Sequence, residues 1–285
     1  MTNIYECMKF SIKEGKKSKS EIGKLSPKVG AVLLQDGKII GHAFRGERGK
    51  GDHAEFTLFE KKLKGKDISK GTLFTTLEPC TYRKNHEPCS NRIIEKGIKK
   101  VYIGMLDPNP KIYNKGCTKL KHSGVEVEYY PDELRKEIKT DNWNFIDQYK
   151  ANPELKGIAT FDYSNNNGIY TIGHDKFIFE TKWTKASNTS IHAYNDPKSI
   201  KNIALAPDHS EISELKDVTI FDFSSRVRTI HRGQILILRN QNDFYAGIKI
   251  LDIKDNTRGD DRDELHFEYV ILANDSCNFQ DYLQN

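Results

Sequence analysis

Three soft metal ligands spread from His53 to Cys89 constrain this chain more than any other feature. His53-Ala54-Glu55 is followed by Pro79-Cys80 and then by Pro88-Cys89. One imidazole and two thiolates give Zn²⁺ three ligands and leave the fourth tetrahedral position open for water. One zinc ion per chain is therefore expected on His53, Cys80 and Cys89. Glu55 stands two residues beyond the imidazole, placed to carry protons without binding the metal. Zinc lowers the pKa of its water to about 7, so hydroxide is available at neutral pH. Taken singly the pieces are weak, because most lone histidines lie on surfaces or in cores and free cysteines often serve as inert buried thiols. Their order, with a proline ahead of each cysteine, points to a metal. Any fold of this chain must bring the three segments to one point.

The sequence around these residues alternates helix and strand. Tyr5, Met8 and Ile12 recur at helical spacing and predict a helix over residues 5–16. Residues 30–35 and 38–44 flank Asp36-Gly37, a two-residue hairpin signal. Further helices are expected over 55–63 and 89–96, and strands over 72–76, 100–105 and 125–129. The fold class is thus α/β, a mixed sheet between helices. His53 and Cys89 fall at helix N-termini, where partial positive charge favours thiolate and developing negative charge.

The H-x-E…P-C pattern is that of zinc deaminases, in which the glutamate acts as general acid and base. Here the cysteines are nine residues apart rather than three, so residues 81–88 must loop away from the metal. With that loop, Thr76-Leu77-Glu78-Pro79-Cys80…Pro88-Cys89 resembles the deaminase half of the riboflavin-biosynthesis enzyme, the diaminohydroxyphosphoribosylaminopyrimidine deaminase. Ser26-Pro27-Lys28-Val29-Gly30-Ala31-Val32 is similar to a second stretch of that family. Asp107-Pro108-Asn109-Pro110 with Gly116 and Ser123-Gly124-Val125-Glu126-Val127 is similar to a third. The resemblance covers about residues 3–130. It implies a cytidine-deaminase-like α/β/α three-layer sandwich, zinc on His53, Cys80 and Cys89, and Glu55 as the catalytic acid and base. It also implies substrate contacts from Ser26, Arg45, Asp107 and Asn109. Ser26, Arg45 and Tyr82 depart from the family's asparagine and two histidines, which predicts the same chemistry on a different heterocycle.

After residue 148 the texture changes. Residues 150–153 read as a linker or a short helix end, and Asn165-Asn166-Asn167-Gly168 as a turn. Strands are predicted at 169–172, 176–181, 218–223, 234–238, 244–253 and 265–272. The second half is then a small all-β barrel or sandwich, and it does not resemble the family's usual reductase partner. Two domains are expected: a zinc-dependent deaminase over 1–150 and a β-rich binding or regulatory module over 151–285. The acidic run 258–264 lacks the alternating ligands of an EF-hand and reads as a solvated loop. Arg226, Arg228, His231 and Arg232 form a local basic cluster suited to phosphate or another ligand.

Charge separates the halves. Residues 1–150 hold 30 Lys and Arg against 20 Asp and Glu, whereas residues 151–285 hold 15 against 20. A basic catalytic half suits a phosphorylated or nucleic-acid substrate, or is a lysine-rich solvated face. Aromatic residues are not interleaved with the lysines, which weakens the case for a nucleic-acid track. No apolar run approaches the ~18 residues of a membrane span. Residues 1–24 are charged and show no secretory signal. Five cysteines, two assigned to zinc, leave an odd remainder suited to reduced thiols in the cytoplasm. The expected partner is a small nucleotide-like molecule and not a membrane, with nucleic acid and a homo-oligomer left open. The expected function is hydrolytic deamination of an amino-substituted pyrimidine or related N-heterocycle. The alternatives are a nucleic-acid or modified-nucleobase deaminase with a reader domain, and a non-catalytic zinc-stabilised ligand sensor. Glu55 speaks against the sensor, because a structural zinc site needs no general base.

Overall fold

Unbroken burial along residues 30–33 and 73–76 sets the architecture of the N-terminal half, because both faces of their sheet are covered. The computed structural model describes residues 3–21, 24–83 and 86–280. The chain divides into two units, Met1–Tyr149 and Lys150–Asn285. The first contains α1 (Ile4–Gly15), β1 (Gly30–Gln35), β2 (Lys38–Phe44), α2 (Ala54–Phe56), β3 (Thr72–Leu77) and α3 (Cys89–Glu95). It continues with β4 (Lys100–Met105), α4 (Lys115–His122), β5 (Glu126–Tyr129), α5 (Asp132–Asp141) and α6 (Trp143–Asp147). Asp36 and Gly37 join β1 to β2 with φ of 50° and 73°, the pair of positive values that a type I′ turn requires. The sheet order is β2-β1-β3-β4-β5, antiparallel across the first three strands and parallel across the last three.

Successive strand residues face opposite sides. Ala31, Leu33 and Leu73 pack with Leu58, Phe59, Ile93 and Leu120 from the α2–α4 side. Val32 and Phe74 pack with Met8, Ile12, Leu134 and Ile138 from α1 and α5. The unit is a three-layer α/β/α sandwich with a mixed sheet, as the sequence predicts. The single helix predicted over 55–63 is instead one α-turn continued by a π-helix, Thr57–Lys62, closed by Leu63 N–H to Leu58 O at 3.0 Å. The wider turn keeps Leu58, Phe59 and Leu63 all buried.

The second unit has β6 (Ala151–Asn152), β7 (Lys156–Phe161), β8 (Ile169–Ile172), β9 (Phe179–Lys185) and β10 (Ser190–Tyr194). Then follow β11 (Ile200–Ala206), β12 (Val227–His231), β13 (Ile235–Asn240), β14 (Tyr245–Lys254) and β15 (Glu264–Ile271). They form two five-stranded sheets, β12-β10-β9-β8-β6 and β11-β13-β14-β15-β7. Trp183, Phe179 and Ile191 of one sheet pack with Phe267, Leu236 and Ile248 of the other, which makes a β-sandwich rather than a barrel. The second sheet is buried on both faces, because Ile212, Leu215, Val218 and Phe279 cover Ala204, Ile235 and Ile237. That double burial explains the unbroken apolar run Ile235-Leu236-Ile237-Leu238.

Several expectations for this half are corrected. Residues 151–152, read as linker, pair in parallel with β8. The strand predicted at 176–181 begins at Phe179, after a 3₁₀ turn. Residues 218–220 form a 3₁₀ turn because the Asp217 carboxylate accepts from Thr219 N–H at 2.9 Å. The acidic loop is not simply solvated: Asp255 and Asp263 are buried, and Lys185 Nζ bridges them at 3.1 and 2.9 Å. Nor does the basic cluster converge on a ligand, since Arg226, Arg228 and Arg232 pair separately with Asp196, Asp222 and Asp252.

Candidate active site

His53 is the N-cap of α2, and Cys89 opens α3 directly after Pro88. Cys80 follows the end of β3, where its sulfur accepts from Cys89 N–H at 3.3 Å and its carbonyl accepts from Ser90 N–H at 3.1 Å. The α3 N-terminus therefore holds the first cysteine as well as carrying the second. His53 Nδ1 lies 3.6 Å from the Cys80 sulfur and 3.4 Å from the Cys89 sulfur. Tetrahedral coordination with Zn–N near 2.0–2.1 Å and Zn–S near 2.3 Å sets N···S separations of about 3.6 Å. The three ligand atoms lie within 4.8 Å of one another and suit a single zinc ion. The Cys89 thiol, donating to Cys80, holds Cys80 down to about 4, and Cys89 is raised in return. Zinc binding requires both sulfurs as thiolates, so it would release their protons.

Glu55 sits in the first turn of α2 and is 4% exposed. Thr75 Oγ1 donates to its Oε1 at 3.0 Å. Burial raises Glu55 above the usual carboxylate range. Glu55 opens with His53 and Cys80 into a cavity of about 220 Å³.

The predicted substrate contacts divide. Arg45 and Asp107 line the cavity, and burial pushes Asp107 up to about 6. Ser26 and Asn109 do not line it. Pro27 supplies the wall next to Ser26, and Asn109 spends its side chain on Lys111 N–H at 3.0 Å, shaping its own turn. Tyr82 stands in the wall but is 77% exposed.

Two contributors escape the sequence reading. Phe145 of α6 closes the apolar wall with Ile112 and Leu77. Glu78 is the second. One of its oxygens accepts from Gly116 N–H at 2.7 Å and Cys117 N–H at 3.3 Å. The other accepts from Asp107 N–H at 2.9 Å and Asn114 N–H at 3.0 Å. This buried carboxylate ties the 107–117 segment to the turn that carries Cys80. Gly116 has no room for a side chain, since a Cβ would lie 2.1 Å from Pro79 O.

A sequence model described as the cytidine and deoxycytidylate deaminase zinc-binding region matches residues 1–105. The riboflavin biosynthesis protein RibD of Aquifex aeolicus is 36% identical over 156 residues, 54% of this chain and 43% of RibD. The diaminohydroxyphosphoribosylaminopyrimidine deaminase of Buchnera aphidicola (Acyrthosiphon pisum strain) is 36% identical over 126 residues, 44% of this chain and 82% of that protein. Among solved structures, the Thermotoga maritima deaminase/reductase is 38% identical, covering 51% of this chain and 40% of that one, with a TM-score of 0.44. The match therefore spans less than half the length of RibD and about four fifths of the shorter deaminase. On the match to the Buchnera deaminase and to the zinc-binding-region model, with His53, Cys80 and Cys89 brought to one point, the chain belongs to the diaminohydroxyphosphoribosylaminopyrimidine deaminase family within the cytidine deaminase superfamily.

Proposed function

We propose that this protein is a cytoplasmic zinc-dependent hydrolase that deaminates an amino-substituted pyrimidine or related nucleotide-like heterocycle, other than the riboflavin-pathway pyrimidine. The observation that carries the reading is Glu55, buried at the floor of a ~220 Å³ cavity beside the three ligand atoms. His53, Cys80 and Cys89 would hold zinc, which would supply a Lewis acid and a water of lowered pKa. Glu55 would accept one proton from the attacking water and pass it to the ring nitrogen next to the amino-bearing carbon as the C–O bond forms, then move the second water proton to the amino group, so that the C–N bond breaks and ammonia leaves. Thr75, donating at 3.0 Å, fixes the orientation of that carboxylate. Leu77, Ile112 and Phe145 offer apolar faces for a flat ring, while Arg45 and Asp107 offer polar recognition at its edge. The different substrate rests on Arg45 and Tyr82, which stand in the cavity wall and depart from the histidines that the family resemblance implies.

In this reading residues 151–285 form an accessory module that binds or regulates and performs no chemistry. A reducing compartment suits the five free cysteines.

Ammonia release from a panel of aminopyrimidines, nucleosides and nucleotides tests the proposal. Glu55→Gln should keep the zinc and lose about 10²–10⁴-fold in turnover, the usual worth of positioned proton transfer. Near-full activity in that variant refutes the role of Glu55. Efficient turnover of the riboflavin-pathway pyrimidine refutes the different substrate.

A further inference from the structure

Asn142 stands at the joint between α5 and α6, and most of its side-chain bonds leave both helices. Its backbone completes the two helix ends: its N–H donates to Ile138 O at 3.1 Å, and its carbonyl accepts from Ile146 N–H at 2.9 Å. The side chain reaches further. Its Oδ1 accepts from Lys28 N–H at 2.7 Å, 114 residues earlier in the chain. Its Nδ2 donates to Ile138 O at 3.0 Å and to Lys28 O at 3.4 Å. One amide thus holds both backbone polar groups of Lys28. Asn142 is 5% exposed. The void beside it measures about 10 Å³, no more than the ~10–15 Å³ that one water needs. Water has little room to take over these bonds.

Both ends of this contact belong to the active-site cavity. Lys28 lies between Pro27 and Val29, which line it, and α6 contributes Phe145. The next two amides are held from other directions. Val29 N–H donates to Ser18 Oγ at 2.9 Å, and Gly30 N–H donates to Thr76 Oγ1 at 3.1 Å. Of the three side chains, only Asn142 ties the segment to α6. Beyond Phe145 the Tyr149 ring meets it edge-on at 5.6 Å, and burial, then the Asp107 carboxylate, raise the Tyr149 hydroxyl above its usual range. Phe145 is therefore held by Asn142 before it and by Tyr149 after it. A capping side chain satisfies groups at its own helix end. Here one of the three side-chain bonds does that, and the other two go to Lys28.

We propose that Asn142 is a positioning residue for the deamination: by bonding Lys28 it fixes where Pro27 and Val29 stand relative to Phe145, and so sets how tightly the cavity grips a flat ring. The inference rests on the deaminase reading and adds a determinant of substrate binding to it. Its side-chain bonds go to Lys28 and Ile138 and not to Glu55 or a metal ligand. Asn142 therefore acts on the binding of the ring and not on the proton transfers.

Two measurements on the zinc-loaded full chain test this. Asn142→Leu keeps the volume and removes all three side-chain bonds. Amide hydrogen exchange should accelerate about 10-fold at both Lys28 and Ile146, the effect of one hydrogen bond lost at a buried amide, while β3 and β4 stay protected. Asn142→Asp keeps the acceptor for Lys28 N–H and should restore part of the protection at Lys28. Asn142→Ala, expected to behave as Asn142→Leu does, is the second variant if the leucine variant fails to fold. Acceleration at Ile146 with Lys28 unchanged makes Asn142 a cap alone and overturns the proposal, and so does equal acceleration in β3 and β4. Ammonia release is then followed on whichever aminopyrimidine, nucleoside or nucleotide the wild type turns over fastest. KM should rise about 10-fold with kcat and zinc content unchanged, the low end for a lost apolar contact with a bound substrate. A fall in kcat at constant KM is the mark of a smaller folded fraction and overturns the proposal. Ammonia from no heterocycle counts against the deaminase reading alone, and the exchange at Lys28 and Ile146 still decides whether Asn142 couples the two segments.

Discussion

Replacing Glu78 by glutamine changes one oxygen to an amide nitrogen and nothing else in outline. In the native site each carboxylate oxygen accepts two backbone N–H groups, Gly116 and Cys117 on one and Asp107 and Asn114 on the other. Whichever way the amide turns, its NH₂ faces two donors and accepts from neither. Two buried N–H groups are then unsatisfied, at about 1–3 kcal/mol each. Part of that loss is offset, because burial already raises Glu78 against its four donors and glutamine carries no charge to desolvate. A net cost of about 3 kcal/mol remains, concentrated in one segment. Amide hydrogen exchange is the suitable assay, since it reads local opening free energies that a global melt averages out. Exchange at Gly116 and Cys117, or at Asp107 and Asn114, should accelerate about 100-fold, while the core of β1 and β3 stays protected. The substrate KM should rise too, because Asp107 and Ile112 line the cavity from the loosened segment. Exchange within threefold of wild type at all four amides would refute the clamp. Uniform acceleration across the unit would refute its local character.

Purified protein should carry about one zinc per chain by elemental analysis, and no transition metal after zinc supplementation would sink the site assignment. Chelation should lower the melting midpoint of the first unit by about 10 °C, since a ligand present at 1,000 times its Kd contributes about 4 kcal/mol. Lys185→Met should destabilise the second unit at pH 7, because it leaves the buried Asp255 and Asp263 carboxylates without the cation they share. Against its burial, hydrogen bonds from Thr257 and the Lys185 and Arg258 charges hold folded Asp255 below the usual range. That stabilisation is present above the unfolded carboxylate pKa near 4 and is lost as pH falls towards the folded value, so wild type and variant should converge in urea melts below about pH 4. A gap that widens on acidification would contradict this sign.

What was legible in the sequence follows from how few residue types can do a given job. Imidazole and thiolate are scarce and chemically specific, so His53, Cys80 and Cys89 were readable although they lie on three different elements. Asp36-Gly37 was readable because both positions take positive φ, which few other pairs tolerate. α5 was not, since only Leu134 and Ile138 of its residues are buried and the rest are charged apart from Thr140. Residues 218–223 misled because Val218, Ile220 and Phe221 have strand propensity, yet Asp217 captures Thr219 N–H and turns the chain. Their apolar character serves another purpose: Val218, with Phe221 and Phe223 beside it, covers the outer face of a sheet already paired on its inner face.

The role of Glu78 was illegible for a different reason. Its partners are four backbone amides, which every residue except proline possesses, so no side-chain identity announces them. Only the folded chain shows that Thr76-Leu77-Glu78-Pro79-Cys80 and the Asp107-to-Gly116 run, quoted as separate motifs, are two halves of one contact. Glu78 holds the segment by its backbone, and Gly116 permits the approach because a Cβ there would lie 2.1 Å from Pro79 O. A side chain at residue 116 would push away the segment that Glu78 draws in. The two positions therefore act on the same distance, the one between the Cys80 turn and the cavity wall carrying Asp107. Gly116→Ala and Glu78→Gln should for this reason be less than additive when combined, because either one alone already opens the segment.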